Sequence, residues 1–567
     1  MLSPLLYSVY SLFTLQASDF SGTSLINTSP DWNALNHSVH GHLKAATPFS
    51  QPCFSQYSTP NQAACTEIQS HNEDHLFRSS HFGAYELTNW ETCQTTGDQC
   101  LLDWLAPTNP AAFAPPRRCL LGNVPSYYID VSGPDDVKVA YDFAKRPESA
   151  LLSKILGSGP GTLALWTHNL NKLVLNRSFI PDGCDPSDPV MTAITIGAGQ
   201  QFRAIYDFAR DNKVTFVGGA DPSVGASGGW VMGGGHSALS PTMGLGVDRV
   251  LEFKIVTPDG KYRTANRCQN QDLFFALRGG GGGTFGVVLE STFIASPRVT
   301  VQAVFGEYEN TRENSFKLLK ALAGNAVQLA TDGWGGYITP PAGNAVWANA
   351  VLDSDEAQKS GSSVVDAFAS INGTVTFMTF DSYSDFYDTF IDPHPDPVGR
   401  PQILGTRLIP SDKFGDDILV DAIANGMLDS DFGQILAVTP FPFKDFRHGE
   451  TSINPAWRNA VWEASAFQLF FNYFWNYNST LSERVGQYKK LTEKLAVIRE
   501  RTPDAGVYFN EADVYEPDYI KAFWGDNYDK LLSIKQKYDP DHILDCWRCV
   551  GWKGPKDPLY KCYPKIN

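Results

Sequence analysis

The chain has 567 residues, of which 43% are apolar and 19% are charged, so it contains enough apolar material for a large globular core. This composition excludes disordered and fibrous proteins. The 45 basic and 61 acidic residues give a net charge of −16, which repels nucleic-acid backbones and anionic membranes and argues against either as a partner.

The first 17 residues are apolar and end in a small residue, which predicts a secretory signal peptide too short to span a bilayer. No later stretch stays apolar for about 18 residues, so we expect no transmembrane helix. Ten cysteines, an even number, favour disulfides in an oxidising compartment. Asn-x-Ser/Thr glycosylation motifs occur at Asn27, Asn36, Asn176, Asn372 and Asn478. Together these features predict a secreted glycoprotein with disulfide bonds.

Three changes in sequence texture divide the rest of the chain. Residues 18–115 are rich in Ser, Thr, Asn and Pro and predict a loop-rich extension held by disulfides. Residues 116–297 alternate short apolar runs with amphipathic helices, and we interpret them as one domain. Its expected strands are 128–131, 163–167, 193–196, 214–217 and 285–294, its helices begin at Pro134 and at Gln200, and a hairpin spans 250–264.

Residues 298–500 are predicted to form a second domain, and residues 501–567 to return to the first. The expected elements of the second domain include a strand over 299–308 and helices over 314–323 and 482–499. In the tail, His542, Cys546, Cys549 and Cys562 have a spacing that suits zinc or disulfides. We favour disulfides and expect no metal, because the chain is predicted to be secreted. The tail also has a carboxylate cluster that we expect to be solvated or hydrogen-bonded; it comprises Glu511, Asp513, Glu516 and Asp518.

Two glycine runs carry the strongest signal. The first run, residues 221–240, contains Gly225, Gly228, Gly229, Gly233, Gly234 and Gly235. Glycine lets main-chain N–H groups approach a ligand closely, and consecutive N–H groups suit a pyrophosphate. A flexible surface loop is the alternative, although Trp230 and Met232 are unusual in a linker. The second run, Gly279–Gly283, follows a helix and precedes a strand, which is the reverse of a nicotinamide-binding Rossmann motif. We therefore predict a different nucleotide cradle.

The sequence GGWVMGGGHSALSPTMGLGVDRVLEFKIVTPDG followed by QDLFFALRGGGGGTFGVV resembles the flavin-binding domain of the vanillyl-alcohol oxidase and p-cresol methylhydroxylase superfamily, in its berberine-bridge-enzyme-like branch. The resemblance covers about residues 119–297 and 508–540. It implies an α+β fold: a two-subdomain FAD-binding domain of the p-cresol methylhydroxylase type, plus a substrate domain with an antiparallel sheet covered by helices. The implied cofactor is FAD.

The resemblance also assigns site residues. The FAD pyrophosphate and the neighbouring ring would be lined by Ser223, Val224, Gly225, Gly228, Gly229, Gly233, Gly234, Gly235 and His236. Val287 and Val288 would lie near the adenine. The sequence Tyr508-Phe509-Asn510 matches a Tyr-x-Asn motif near the flavin, which makes Asn510 a cofactor contact and Tyr508 the candidate for proton handling, as base or relay; simple packing of Tyr508 is the alternative.

The chain departs from the family at both positions of covalent FAD attachment. Many members attach FAD through a His in a first phosphate-binding loop, but the corresponding stretch Lys145–Gly161 has no His and looks shortened. A second attachment point, a Cys in some members, aligns with Asp221. The sequence therefore predicts non-covalent FAD. We expect His236 to contact the flavin and His168 to be structural.

The resulting functional prediction is a secreted FAD-dependent oxidoreductase. It would transfer a hydride from an alcohol, a sugar or a secondary metabolite to flavin, with dioxygen as the acceptor of the electrons. The alternative is a secreted glycoprotein that keeps the fold but is catalytically impaired, because of the shortened loop. The aromatic residues of the second domain are expected in its core rather than at a substrate platform; they include Trp334, Tyr337, Phe470, Phe471, Tyr473 and Trp475.

Overall fold

A computed structural model describes residues 31–55, 61–146, 154–155, 159–443, 449–462 and 473–566. The predicted signal peptide, Asn27, Phe470, Phe471 and most of Lys145–Gly161 lie outside these residues. Within the described part of the chain, no helix combines the length and the apolar character needed to cross a membrane.

The N-terminal segment, residues 31–126, is short of regular structure. Its helices and strand are α1 (Trp32–Ser38), β1 (Leu43–Ala45), α2 (Gln62–Ser70) and α3 (His75–Ser79). Asp31, Asn61 and Asp74 cap these three helices by accepting hydrogen bonds from main-chain N–H groups of the first turn. Disulfides Cys53–Cys65 and Cys100–Cys119 close loops within this segment, and Cys93–Cys562 joins it to the C-terminal tail. The expectation of disulfide staples is confirmed.

A small mixed sheet follows, with the strand order β1-β2-β4-β3. Its elements are β2 (Tyr127–Asp130), α4 (Pro134–Ala144), β3 (Lys154–Ile155) and β4 (Thr162–Trp166). Pro134 is the first residue of α4, where its missing N–H costs no hydrogen bond. Strand β2 pairs parallel with β4, which requires the crossover that α4 supplies.

A second, five-stranded antiparallel sheet has the order β5-β6-β10-β8-β9. Its strands and the neighbouring elements are β5 (Leu173–Phe179), β6 (Met191–Gly197), α5 (Phe202–Asp211), β7 (Val214–Thr215), α6 (Val231–Gly233), α7 (Ser240–Met243), α8 (Gly246–Arg249), β8 (Val250–Val256), β9 (Tyr262–Asn266), α9 (Gln271–Leu277), β10 (Val287–Ile294) and β11 (Ser296–Pro297). The predicted hairpin over 250–264 is confirmed as β8 and β9, with Gly260 at a φ of 77° in the turn.

The third sheet is antiparallel, with the order β15-β12-β14-β13-β18. The elements of this region are β12 (Val301–Glu307), α10 (Arg312–Thr331), β13 (Gly335–Thr339), β14 (Asn344–Asn349), α11 (Ser354–Ser360), α12 (Ser362–Ala369), β15 (Thr374–Phe380), α13 (Tyr383–Phe390), β16 (Gln402–Ile403), β17 (Ile409–Pro410), α14 (Asp417–Leu428), β18 (Ile435–Ala437), β19 (Ala460–Trp462), β20 (Tyr473–Phe474) and α15 (Leu481–Arg501). The tail adds α16 (Tyr519–Trp524) and α17 (Tyr528–Tyr538). The expected long helices are confirmed as α10 and α15.

The alternation of side chains along the third sheet places its two faces in different cores. Ala303 and Tyr337 belong to the large cluster formed with the second sheet, whereas Val304 and Ile338 pack in the cluster that contains α10, α14 and α15. One face of this sheet is therefore covered by helices, and the other faces the region of the glycine runs. This is the predicted α+β fold of a two-subdomain FAD-binding domain with an antiparallel, helix-covered substrate sheet.

Candidate flavin and substrate site

A cavity of about 800 Å³ lies between the first glycine run and the third sheet. Its glycine side includes Gly225, Gly228 and Gly229, and its sheet side includes Phe305, Tyr337, Val346 and Leu436. The remaining wall comes from Glu86 and Leu87 of the N-terminal segment, from residues 389–404, and from Tyr508, Asn510 and Glu511 of the tail. This volume is typical of small-molecule and cofactor sites.

The first glycine run is shaped for close approach of a ligand to main chain. It forms a turn over Ala226–Trp230 that is kinked at Gly228, where φ is −101° and ψ is −139°, and leads into α6. Gly234 and Gly235 then have φ values of 146° and 80°, which side-chain-bearing residues rarely adopt. At Gly228 a Cβ would meet no protein atom within 4 Å, so this part of the run presents bare main chain to the cavity. Such a surface suits a flat ring or a pyrophosphate.

The second glycine run supports the first from behind. The N–H of Gly281 donates to the carbonyl of Met232 at 2.9 Å. A Cβ on Gly282 would lie 3.1 Å from the Cα of Gly229, so the two runs pack main chain against main chain. Val287 and Val288 follow in β10, where each is 5% exposed and packs in a core cluster rather than along the cavity.

Three tail residues hold the first glycine run in place. The hydroxyl of Tyr508 donates to the carbonyl of Trp230 at 2.9 Å, and the Asn510 amide donates to the carbonyl of Gly229 at 2.7 Å. His236 Nε2 lies 3.0 Å from Glu511 Oε1. The rings of His236 and Tyr508 are edge to face, with centroids 5.1 Å apart. The Tyr-x-Asn motif thus contacts the glycine run through both of its polar side chains.

A second group of polar residues joins the glycine run to the N-terminal segment. The Ser223 hydroxyl donates to Asp221 Oδ1 at 2.7 Å and is also hydrogen-bonded to Glu86. His75 Nδ1 lies 2.6 Å from Asp221 Oδ2. The N–H of Gly399 donates to the carbonyl of Glu86 at 2.8 Å, which brings residues 391–402 beside this group.

The carboxyl groups in this wall are electrostatically crowded. Burial, together with the nearby charge of Asp221, raises the pKa of Glu86 to about 7. Burial raises the pKa of Asp396 to about 7 as well, with contributions from Asp221 and Glu511. Burial lowers the pKa of His75, but its hydrogen bond and ion pair with Asp221 outweigh burial, so the net shift is upward. This wall therefore contains more carboxyl groups than histidines, and burial favours the protonated form of two of them.

Most of the predicted cofactor residues meet at the cavity. Its lining includes Ser223, Val224, Gly225, Gly228, Gly229, His236, Tyr508 and Asn510. Gly233 lies just behind, where a Cβ would be 3.0 Å from the Tyr508 ring. Tyr337 packs in the large core cluster as expected and also lines the cavity, and Trp334 packs in the helix-covered core as expected.

Several other expectations are settled by contacts elsewhere. Cys546–Cys549 and Cys93–Cys562 are disulfides, so the zinc alternative is excluded. His168 stacks on Trp166 with centroids 5.0 Å apart, a structural contact. The carboxylate cluster is hydrogen-bonded but less solvated than expected: Asp513 and Glu516 are buried and both bind Arg499, at 2.8 Å and 2.5 Å.

Glu86, His75 and Asp396 are functional candidates that sequence reasoning missed. Each is a single polar residue without a motif, and the segment that carries Glu86 and His75 was predicted only as a loop-rich extension. Their side chains meet the glycine run through tertiary contacts between segments far apart in the chain, as the 137 positions between Glu86 and Ser223 illustrate. Glu86 and its apolar neighbour Leu87 form no motif that would predict a contact with a segment so far away in the chain.

The geometry defines a class of protein, the FAD-binding proteins. Two α+β subdomains present bare glycine main chain to a cavity that an antiparallel sheet covers, and the residues of this cavity fit FAD. Comparisons with known proteins agree. The sequence profile of the family described as FAD binding domain matches residues 125–266, and that of Berberine and berberine like matches residues 507–545.

Two fungal oxidoreductases and one solved flavoprotein structure are similar to this chain over most of their length. The FAD-linked oxidoreductase ffsJ of Aspergillus flavipes is 37% identical over 586 residues, covering 92% of each chain. The FAD-linked oxidoreductase cheF of Chaetomium globosum is 34% identical, covering 98% of this chain and 91% of that one. The crystal structure of the VAO-type flavoprotein MtVAO713 from Myceliophthora thermophila superposes with a TM-score of 0.79 at 29% identity, covering 92% of this chain and 94% of that one. The chain belongs to the FAD-linked oxidoreductases of the berberine-bridge-enzyme-like branch, and it is an FAD-dependent oxidoreductase.

Proposed function

We propose that the protein is a secreted oxidase that binds FAD without a covalent bond and oxidises a hydroxyl-bearing small molecule, an alcohol, a sugar or a secondary metabolite, with dioxygen as the final acceptor. The observation that carries the proposal is the cavity between the glycine run and the third sheet, because it offers a main-chain surface for the cofactor and a side-chain surface for a substrate. Bound FAD would supply the hydride acceptor.

The chain's own residues would hold the cofactor and orient the substrate. Gly225, Gly228 and Gly229 would face the cofactor, and Asn510 would keep this stretch of main chain in register through its bond to Gly229. The apolar side chains of the third sheet would pack on the substrate and exclude water. Gly233, Gly234, Gly235 and His236 would complete the turn beneath the ring, while Val287 and Val288 stay candidates for the adenine side.

Tyr508 is the proposed proton-handling residue. Its hydroxyl donates a hydrogen bond to the carbonyl of Trp230 at 2.9 Å, which fixes the orientation of the phenol. A phenol held in this way would orient the substrate hydroxyl, and in its phenolate form it would take up the hydroxyl proton as base. The fixed position follows from packing, because Tyr508 is 2% exposed and its ring lies edge to face with Trp457 and His236.

Non-covalent binding is supported by the residues at the two attachment positions. Lys145–Gly161 contains no His, and Asp221 stands at the second position, where its carboxylate is bonded to Ser223 and His75. A carboxylate cannot form the thioether that a Cys would form. Secretion is supported by five disulfides among the described residues and by exposed asparagines at four glycosylation motifs, Asn36, Asn176, Asn372 and Asn478.

The visible spectrum of the purified secreted protein tests the proposal. We expect a yellow protein whose flavin absorbance bleaches under anaerobic conditions with a substrate and returns with dioxygen and release of peroxide. Acid precipitation should leave the flavin in the supernatant; flavin in the pellet would contradict non-covalent binding. A colourless protein that cannot be reconstituted with FAD would instead support the catalytically impaired glycoprotein.

A further inference from the structure

The ionisable residues that line the cavity are mostly acidic, and the histidines His236 and His394 are the others. Five carboxylates contribute to the lining: Glu86, Asp221, Glu307, Asp396 and Glu511. Among the described residues of this lining there is no Lys or Arg. Asp221 and Glu511 each have a histidine partner, His75 and His236. Glu86, Glu307 and Asp396 have no ion pair among the described residues; Glu307 is exposed, whereas Glu86 and Asp396 lie beside Asp221 in the wall.

Two amide side chains add unfilled acceptors to the same cavity. Gln402 is 4% exposed and Gln434 is 9% exposed, and both line the cavity. In the described part of the chain, neither side-chain carbonyl oxygen receives a hydrogen bond. Buried polar atoms normally have a partner, and a rotation of either amide toward the cavity would let the donors of a ligand supply one. This observation is independent of the acidic wall.

The opposite side of the cavity is apolar. Phe305, Val346 and Leu436 of the third sheet line it, and Phe390, Ile391 and Leu404 extend the apolar surface. These residues can cover the hydrophobic body of a ligand but offer no charge and no hydrogen bond. A ligand that matches both sides must combine an apolar body with a donor-rich, positively charged group.

We propose that the acidic wall formed by Glu86, Asp221 and Asp396 is a binding site for the protonated amine of a substrate whose apolar body packs on the third sheet. This inference rests on the proposed function, because it names the substrate class of the same cavity. An ammonium group donates several hydrogen bonds and carries the charge that offsets repulsion among the carboxylates. A neutral alcohol or sugar would donate hydrogen bonds but leave that repulsion in place.

The charges around Glu86 and Asp396 support this assignment and predict how the affinity for an amine depends on pH. Glu86 faces Asp221, His75, Arg78 and Ser223, and Arg78 is already paired with Glu91. Asp396 faces Asp221, Glu511, His75 and His236. Because both carboxyls have a pKa of about 7, part of each population is protonated near neutrality. A bound cation would favour the ionised forms and release protons, so the affinity for an amine should rise with pH.

The test uses two probes of nearly equal shape, phenylbutylammonium and phenylbutanol, with the FAD-loaded protein. Binding is followed by calorimetry and by the perturbation of the flavin spectrum. We expect the amine to bind about tenfold or more tightly than the alcohol, since a desolvated charge pair contributes at least that much. Its affinity should increase between about pH 6 and about pH 8, with proton release, whereas that of the alcohol should not change.

Glu86→Gln and Asp396→Asn should each weaken amine binding about tenfold more than they weaken alcohol binding. Retained alcohol binding also shows that the variant is folded. Glu309→Gln is the matched control, because Glu309 is exposed and lies outside the cavity lining. Equal affinities for the two probes, or an amine preference that survives both substitutions, would overturn the proposal.

The outcomes separate this inference from the proposed function. A yellow protein that oxidises neutral alcohols and shows no preference for the amine refutes the amine site and leaves the oxidase standing. A protein that takes up no FAD but still binds the amine in preference to the alcohol refutes the oxidase and leaves the amine site standing.

Discussion

Substituting Tyr508→Phe separates proton handling from packing. The variant keeps the ring and its edge-to-face contacts with Trp457 and His236 but loses the hydrogen bond to the buried carbonyl of Trp230. Leaving such a carbonyl without its donor costs about 1–3 kcal/mol of stability. If the hydroxyl also handles the substrate's proton, kcat/KM of the variant should in addition fall about a hundredfold to ten-thousandfold, which is roughly the contribution of general acid–base catalysis.

Tyr387→Phe is the matched control for the structural part of the effect. The Tyr387 hydroxyl donates to the carbonyl of Ala220 at 2.9 Å and its ring is fully buried, but it does not line the cavity. Both variants should lose similar melting temperature, measured by circular dichroism, and both should keep FAD. Only Tyr508→Phe should lose turnover, measured as peroxide release with the substrate identified by screening. If its kcat/KM lies within about tenfold of that of Tyr387→Phe, proton handling by Tyr508 is refuted.

Two further predictions concern stability. Arg458 donates to both oxygens of Asp248, at 2.8 Å and 2.6 Å, and both side chains are buried. Arg458→Leu should therefore lower the free energy of unfolding, measured by urea denaturation, by about 3–5 kcal/mol. A loss below about 1 kcal/mol would mean that the buried carboxylate finds another partner. The pKa of Glu86 in the folded protein is raised to about 7, so folding favours the protonated carboxyl. The stability that this carboxyl contributes is therefore fully present below its unfolded pKa and is lost as pH rises through 7. Glu86→Gln, which cannot ionise, should stabilise the protein relative to wild type at about pH 8 more than at about pH 5, by about 1–3 kcal/mol. If the difference in melting temperature between the variant and wild type is the same at both pH values, this prediction is wrong.

The local requirements of the fold are visible in the sequence. Gly234, Gly235 and Gly279 have φ values of 146°, 80° and 131°, and the need for glycine at such angles makes both runs conspicuous. The hairpin of β8 and β9 is marked by its turn residues, and α10 and α15 by their periodicity. These features depend on a few neighbouring residues, so motif reasoning finds them and, through family resemblance, the cofactor.

The composition of the acidic wall, by contrast, depends on segments that are distant in the chain. Glu86 meets Ser223 only because residues 85–88 run beside residues 399–400, and His75 reaches Asp221 from the same N-terminal segment. Burial of Asp513 and Glu516 likewise follows from Arg499, which lies on α15. A single carboxylate in a loop has no period or spacing that announces its partner.

The sequence by itself therefore determined that this acidic chain is globular, that its glycines cluster in two runs, and that those runs resemble the ones of a flavin-binding domain. Only the tertiary structure decided which side chains complete the cavity, that the Tyr508 hydroxyl donates a hydrogen bond to the carbonyl of Trp230, and that Glu86 and Asp396 have no cationic partner among the described residues. The physical reason is the range of the interactions: backbone angles are set by neighbouring residues, whereas burial and charge pairing are set by the packing of the whole core.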